Sequence, residues 1–242
     1  MPLLHHRVFG NGPPLVLLHG LTGTGDDWTH VFDLDTLARS FRLVLPDARG
    51  HGRSPNPTGD FTFRACAEDT LALLDHLGLE RVRAIGVSLG AKTLLHLATL
   101  APARLEAMVL VSATPRLCDT SRRVMRAAAA ADHTADEWTL MRGKHPLGDD
   151  QIRALWALPA RLAASTDDLD FTPERLVAIE ARTLVVSGDR DPLYPVELAL
   201  ELHRGIPRSA LFVLPGEGHG PIYGAWRETF AKTALDFLTR ET

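Results

Sequence analysis

One pentapeptide in the chain combines a serine with the glycines that a sharp turn requires. Gly86-Val87-Ser88-Leu89-Gly90 lies between the apolar run 82–85 and the helix-like stretch 91–98. A Gly-x-Ser-x-Gly between a strand and a helix can form a strained turn that exposes the serine oxygen, with the helix N-terminus behind it. Ser88 is therefore a candidate nucleophile.

A serine hydroxyl is a weak nucleophile at neutral pH, so it needs a base and a third group that orients the base. Asp189 and Asp191 follow one apolar run further along the chain, and His219, flanked by glycines, follows another. The chain order Ser, Asp, His is that of one of the known convergent triads. The residues thus predict that His219 activates Ser88 and that one of the two carboxylates orients His219.

Attack of a serine on a carbonyl group places negative charge on the carbonyl oxygen, which preorganised backbone N–H groups stabilise. One such donor is the amide of Leu89, directly after the serine and at a helix N-terminus. The loop 19–25, which leaves the first parallel strand, would provide the second donor, and we assign it to the amide of Leu21.

Continuous apolar runs indicate the strands that must position these residues. They occur at residues 15–18, 43–45, 84–85, 108–111, 184–186 and 211–214. Such runs are typical of strands covered on both faces by helices, and most of the intervening segments have helical patterns, including 63–77, 195–202 and 226–238. The alternation predicts an α/β fold with a doubly wound, mostly parallel sheet and a ligand site at the carboxyl ends of the strands.

The longest segment between two apolar runs, residues 112–183, contains no strand-like pattern. It contains three helical stretches, at 122–131, around 137–141 and around 152–156. A structureless loop of this length would be improbable in a compact domain. We therefore expect residues 1–242 to form a single domain in which residues 116–176 are a small helical lid over the carboxyl edge of the sheet.

The order of these motifs resembles that of the α/β-hydrolase fold superfamily over essentially the whole chain. The resemblance is carried by four landmarks, namely His19-Gly20, the segment Asp47 to Ser54, the pentapeptide Gly86 to Gly90, and Gly188-Asp189-Arg190-Asp191 with Gly218-His219. It implies a sheet of about seven to eight strands, and seven are favoured because only one strand fits before residue 15.

The resemblance also implies roles for the candidate residues. Ser88 would be the nucleophile, His219 the general base and acid, and Leu21 and Leu89 the oxyanion donors. Asp191 is preferred over Asp189 as the orienting carboxylate because the acid of the family usually falls three residues after the turn glycine.

Lys92 stands four positions after Ser88, about one helical turn along the same face. In some related lyases of menaquinone synthesis, an arginine at the corresponding position grips a substrate carboxylate. Lysine can supply the charge but not the bidentate fork, so the hypothesis is that Lys92 binds an anionic substrate. The rival interpretation is a lysine that extends to solvent. Further candidates, either for an apolar pocket wall or for the lid's own core, are Trp28, Trp138, Met141 and Trp156.

Together these features predict a lidded serine hydrolase that acts on a small-molecule acyl substrate, a carboxylic ester, thioester or lactone. One alternative is a carbon–carbon bond hydrolase or menaquinone-pathway-type lyase acting on an anionic substrate in the same site. A second alternative is a non-catalytic member of the fold that binds a ligand.

Composition argues against several other classes of function. The formal net charge of −4 disfavours a nucleic-acid or anionic-membrane partner. We expect a cytoplasmic protein, since the N-terminus lacks a signal-peptide pattern and no stretch approaches a membrane span. We expect no cofactor, because no dinucleotide-binding or phosphate-binding glycine motif occurs, and no metal, because the histidines lack partners at ligand spacing. The oligomeric state is left open.

Overall fold

The apolar runs form one seven-stranded sheet in the computed structural model, which describes residues 3–240. The strands are β1 (His6–Phe9), β2 (Pro14–Leu18), β3 (Arg42–Pro46), β4 (Val82–Val87), β5 (Leu105–Val111), β6 (Arg182–Gly188) and β7 (Ser209–Leu214). In β2, Leu15 and Leu17 pack into the core on one face, and Val16 and Leu18 pack into the core on the other. Successive side chains of a strand alternate between its two faces, so an uninterrupted apolar run makes both faces of β2 apolar.

The strand order is β1-β3-β2-β4-β5-β6-β7, with β1 antiparallel to β3 and every other pair parallel. The prediction of a doubly wound, mostly parallel sheet is confirmed, with seven strands. The segment after β2 packs on one face of the sheet and the helix after β4 packs on the other. The two segments therefore diverge between β2 and β4, which opens a crevice at the carboxyl ends of these strands.

Five helices flank the sheet in the described residues. They are α1 (Leu34–Leu37), α2 (Phe63–His76), α3 (Leu89–Leu100), α8 (Val196–Gly205) and α9 (Arg227–Thr239). Helix α8 extends to Gly205, beyond the end at residue 202 that the sequence predicts. The glycine lets Leu176 pack closely, since a Cβ at Gly205 would lie 2.6 Å from a Leu176 methyl carbon. Within residues 3–240, no helix combines the length and apolarity needed to cross a membrane.

The segment between β5 and β6 contains four helices. They are α4 (Asp119–Ala129), α5 (Ala135–Lys144), α6 (Asp149–Ala164) and α7 (Pro173–Val177), of which the sequence predicted the first three. An isolated antiparallel bridge between Arg116 and Asp170 joins the two ends of this segment. Helices α4 and α6 contact each other and stand over the carboxyl edge of the sheet, where both line the same cavity as Ser88.

Candidate active site

Ser88 lies in a strained turn between β4 and α3. Its backbone has φ 51° and ψ −101°, in the left-handed half of the Ramachandran plot that non-glycine residues rarely adopt. A Cβ at Gly86 would lie 2.5 Å from the Gly90 carbonyl, and a Cβ at Gly90 would lie 2.2 Å from the Leu18 carbonyl oxygen. Both glycines are therefore required because backbone segments touch at these positions, and the turn holds the Ser88 Oγ clear of the backbone.

Ser88, His219 and Asp191 form a continuous hydrogen-bonded chain. The distance from His219 Nε2 to Ser88 Oγ is 2.9 Å, and that from His219 Nδ1 to Asp191 Oδ2 is 2.8 Å. A carboxylate only accepts hydrogen bonds, so Nδ1 carries the proton and Nε2 is free to accept the one that the serine hydroxyl donates. The three residues come from the ends of three parallel strands, β4, β6 and β7.

The Asp191 carboxylate is buried and held from several sides. Its Oδ1 accepts the backbone N–H groups of Leu193 at 2.8 Å and Tyr194 at 3.0 Å, and its side chain has no solvent exposure. Burial alone would favour the neutral acid, but the hydrogen bond from His219 and these two N–H groups outweigh it and lower the pKa of Asp191. Asp191 is therefore ionised at neutral pH and oriented toward the imidazole.

Asp189, the other carboxylate after β6, has a different partner. Its Oδ1 accepts the backbone N–H of Gly216 at 2.6 Å, which ties the loop after β6 to the loop after β7. The two loops that carry Asp191 and His219 are thus fastened to each other.

The candidate oxyanion donors are the backbone amides of Leu21 and Leu89. Both residues line the same cavity as Ser88, and neither N–H donates a hydrogen bond within residues 3–240. The Leu21 amide belongs to a tight turn that the Gly23 N–H closes by donating to the Gly20 carbonyl at 3.0 Å. The Leu89 amide is at the N-terminus of α3, where the helix dipole favours negative charge. These two N–H groups therefore remain the candidate donors to an oxyanion formed at Ser88.

A cavity of about 340 Å³ contains these groups. Its walls are mostly apolar and include Phe63, Val124, Met125, Ala128, Leu162 and Leu193. Helix α4 supplies three of these side chains and α6 supplies one. The size suits a small organic ligand, at the lower end of the usual range for such pockets.

Lys92 lies buried in the wall of this cavity, and it does not reach solvent as the rival interpretation supposed. Its side chain is 3% exposed, and Nζ lies 2.6 Å from the Tyr194 hydroxyl, 4.6 Å from the centre of the Tyr194 ring and 4.9 Å from that of Phe63. Burial lowers the pKa of Lys92 to about 7, partly opposed by the negative charges of Asp191 and Asp168.

The cavity wall is apolar, but none of the four residues suggested for it from the sequence lines the cavity, namely Trp28, Trp138, Met141 and Trp156. Trp28 stacks on Phe32 in the core on the other face of the sheet, with ring centres 5.9 Å apart. Trp138 meets Trp156 edge to face at 4.6 Å, and Met141 is buried nearby, so these three belong to the packing of the helical segment itself. Packing within the segment, the alternative given from the sequence, agrees with the contacts of these three residues but not with those of Trp28.

The sequence interpretation missed two residues that shape the cavity around Lys92. Tyr194 follows Asp191 by three positions in the same loop, a spacing that could have suggested a place beside the site. Phe63 begins α2, and nothing in its sequence surroundings indicates that it reaches the cavity. Within residues 3–240, no group of three or more His, Cys, Asp or Glu side chains is arranged to hold a metal ion.

Comparison with known proteins places this arrangement in a family. A protein of Pseudomonas savastanoi pv. phaseolicola, provisionally named as the carbamate hydrolase RutD, is 29% identical over 268 residues, covering 99% of this chain and 98% of the relative. The pimeloyl-[acyl-carrier protein] methyl ester esterase of Nitrosomonas europaea is 28% identical, with 91% and 94% covered.

Among solved structures, a hydrolase from Pseudomonas aeruginosa PA01 matches with a TM-score of 0.77 and 27% identity, covering 97% of this chain and 94% of that one. The sequence model of the family described as alpha/beta hydrolase fold matches residues 13–224. The chain therefore belongs to the α/β-hydrolase fold family, and these relatives are named as hydrolases.

Proposed function

We propose that the protein is a serine hydrolase that cleaves a small carboxylic ester, thioester or lactone through an acyl-enzyme. The observation that carries this proposal is the hydrogen-bonded chain of Ser88, His219 and Asp191. The same cavity is lined by Leu21 and Leu89, whose amides have no hydrogen-bond partner within residues 3–240. Nucleophile, base, orienting acid and oxyanion donors are the parts that acyl transfer needs.

The reaction follows from the direction of each hydrogen bond. Ser88 Oγ attacks the carbonyl carbon while His219 Nε2 takes its proton, and Asp191 stabilises the resulting imidazolium. The amides of Leu21 and Leu89 donate to the carbonyl oxygen as it becomes negative. His219 then protonates the leaving group, and a water molecule, activated by the same imidazole, releases the acid and restores the serine.

The helical segment 116–176 is proposed to act as the lid of this site. Its helices α4 and α6 supply Met125 and Leu162 to the cavity wall. The names of the curated relatives, a carbamate hydrolase and a methyl ester esterase, denote cleavage of a bond between a carbonyl carbon and a heteroatom, which supports acyl transfer here.

Lys92 supports an anionic substrate within this class. In the described part of the chain, its ammonium group donates only to Tyr194 and forms no ion pair. A buried charge without a counter-ion is costly, and the faces of Phe63 and Tyr194 compensate only part of that cost. A substrate carboxylate would supply the missing counter-charge. The same feature favours the second candidate function, carbon–carbon bond cleavage or lyase chemistry on an anionic substrate.

A fluorophosphonate probe followed by intact-mass analysis tests the acyl-enzyme proposal. We expect one adduct per chain, mapped to Ser88, together with turnover of short p-nitrophenyl esters. Turnover of an anionic diketone or lyase substrate without any trapped adduct would favour the second candidate instead. Absence of both labelling and turnover would favour the non-catalytic alternative.

Lys92→Met removes the charge and keeps the approximate length of the side chain. We expect kcat/KM for mono-p-nitrophenyl succinate to fall roughly 10- to 100-fold, the loss of one charge-assisted hydrogen bond. The value for p-nitrophenyl isocaproate, in which an isopropyl group replaces the carboxylate, should change by about twofold or less. In a second pair, carboxyphenyl butyrate and tolyl butyrate, the carboxylate is on the leaving group. If Lys92→Met changed kcat/KM equally for the charged and the neutral ester in both pairs, this result would contradict an anion site at Lys92.

The pH dependence of this selectivity follows from the pKa of Lys92, which burial lowers to about 7. Below that pH the free enzyme carries the ammonium form, which attracts a carboxylate, and above it the amine is neutral. The ratio of kcat/KM for the succinate ester to that for the isocaproate ester should therefore fall as the pH rises through about 7. In Lys92→Met the ratio should stay flat across the same range.

A further inference from the structure

Two consecutive residues at the end of α5 fasten the helical segment to the loop that contains Leu21. Lys144 Nζ lies 2.7 Å from Oδ1 of Asp27, in the short 3₁₀ helix Gly25–His30 that follows this loop. The next residue, His145, is 1% exposed and contacts the backbone of the loop itself at Thr22. The His145 side chain does not line the cavity, and it is not part of the hydrogen-bonded chain of Ser88, His219 and Asp191.

The His145 ring is hydrogen-bonded at both nitrogens. Nδ1 lies 2.9 Å from the backbone nitrogen of Gly52, and Nε2 lies 3.1 Å from the carbonyl oxygen of Thr22. A backbone N–H can only donate and a carbonyl can only accept, so Nδ1 is the unprotonated acceptor and Nε2–H is the donor. His145 is thus a neutral imidazole whose donor end is committed to Thr22.

From Thr22, a chain of peptide groups leads to the candidate oxyanion donor. The Thr22 carbonyl and the Gly23 N–H belong to one trans peptide and point in opposite directions. The Gly23 N–H donates to the Gly20 carbonyl at 3.0 Å, and His19 Nδ1 also lies 2.7 Å from that oxygen. The Gly20 carbonyl shares the next peptide plane with the Leu21 N–H, which is therefore turned away from these partners and, within residues 3–240, has none of its own.

We propose that His145 is a positioning residue for the oxyanion site, acting on the Leu21 amide through these two peptide groups. The inference rests on the proposed function, because it assumes that the Leu21 N–H binds the oxyanion. Hydrogen bonds in series polarise one another, so a donor at the Thr22 carbonyl both fixes the orientation of the Leu21 N–H and strengthens it as a donor. The helical segment would in this way contribute to the chemical step as well as to the cavity wall.

Two amide substitutions separate this role from a merely structural one. In His145→Gln, the longer side chain can place its NH₂ group near the position of Nε2 and donate to Thr22. In His145→Asn, the shorter side chain can place its oxygen near Nδ1 and accept from Gly52, but it does not reach Thr22. Each variant keeps one of the two hydrogen bonds, so similar losses of thermal stability are expected.

Kinetics should distinguish the variants. We expect kcat for a p-nitrophenyl ester to fall about tenfold in His145→Asn, with KM nearly unchanged, and to stay within about threefold of wild type in His145→Gln. The rate of phosphonylation should follow kcat, because the phosphoryl oxygen of the probe occupies the same oxyanion site. Equal kcat in the two variants, or a loss confined to KM, would overturn the inference.

An NMR measurement tests the inference independently of turnover. With isotope-labelled leucine, the Leu21 amide resonance should shift in His145→Asn and remain close to the wild-type position in His145→Gln. An unmoved resonance in His145→Asn would overturn the inference, whatever the activity. Turnover that survives Ser88→Ala would instead refute the proposed function, so the two failures are distinguishable.

Discussion

Replacing Ser88 by alanine is expected to lower kcat for p-nitrophenyl esters by roughly 10⁴- to 10⁶-fold. The substitution removes only Oγ, the atom that His219 Nε2 contacts at 2.9 Å. The oxyanion amides and the cavity remain, so a small residual rate above that in water is expected. KM for the residual reaction should stay close to that of the wild type, because the substrate contacts outside Oγ are unchanged.

The measurement combines ester turnover, fluorophosphonate labelling and thermal unfolding. Labelling should vanish in Ser88→Ala, and the unfolding midpoint should not fall, because alanine at position 88 fits the same turn without an additional clash. Ser40→Ala, at an exposed position outside the cavity, is the control and should retain both labelling and turnover. If Ser88→Ala kept a few per cent of the wild-type kcat, the serine would not form the acyl-enzyme, and a reaction without a covalent intermediate would be favoured.

The central strands of the sheet could be predicted from the sequence because they are buried on both faces. Strands β2, β3, β5 and β6 each contain an uninterrupted apolar run, as Leu15 to Leu18 illustrates, whereas apolar residues in the surrounding helices recur at every third or fourth position. The location of the polar residues after each run could be predicted as well, because the carboxyl ends of parallel strands lie at one edge of the sheet. The convergence of Ser88, Asp191 and His219 on that edge could therefore be predicted from the runs that precede them.

The walls of the cavity could not be predicted in this way. Helix α5 has no clear apolar stripe, so nothing in its sequence indicates which side Trp138 occupies, and the structure turns it toward Trp156. The contacts of Lys92 depend on the start of α2 and on the loop after β6, elements separated from it along the chain. Their convergence is a property of the tertiary packing, which periodicity does not encode.

The role proposed for His145 also could not be predicted from the sequence, for a related reason. It lies directly after α5, and its partners Thr22 and Gly52 come from two loops much closer to the N-terminus. A lone histidine at a helix terminus is most simply explained as a surface or capping residue. Only the direction of the two hydrogen bonds shows that one imidazole connects three segments around the Leu21 amide.

Asp191→Asn is expected to lower kcat by about 10⁴-fold while leaving the cavity and the fold in place. The asparagine oxygen can still accept the N–H groups of Leu193 and Tyr194, which now bind Asp191 Oδ1. Its NH₂ group then faces His219 Nδ1 and donates to it. This favours the tautomer whose proton is on Nε2, so the imidazole presents a donor to Ser88 and can no longer accept the serine proton.

Asp189→Asn is the matched control, because it makes the same change two residues earlier in the same loop. Its oxygen can still accept the Gly216 N–H that Asp189 binds at 2.6 Å, so kcat should remain within about twofold of wild type. A large loss in Asp189→Asn together with a small one in Asp191→Asn would exchange the assigned roles of the two carboxylates. Comparable large losses in both would mean that the connection between the loops, rather than the tautomer of His219, limits the reaction. The pair therefore separates the orientation of the base from the stability of the loops that carry it, which no substitution of Ser88 can do.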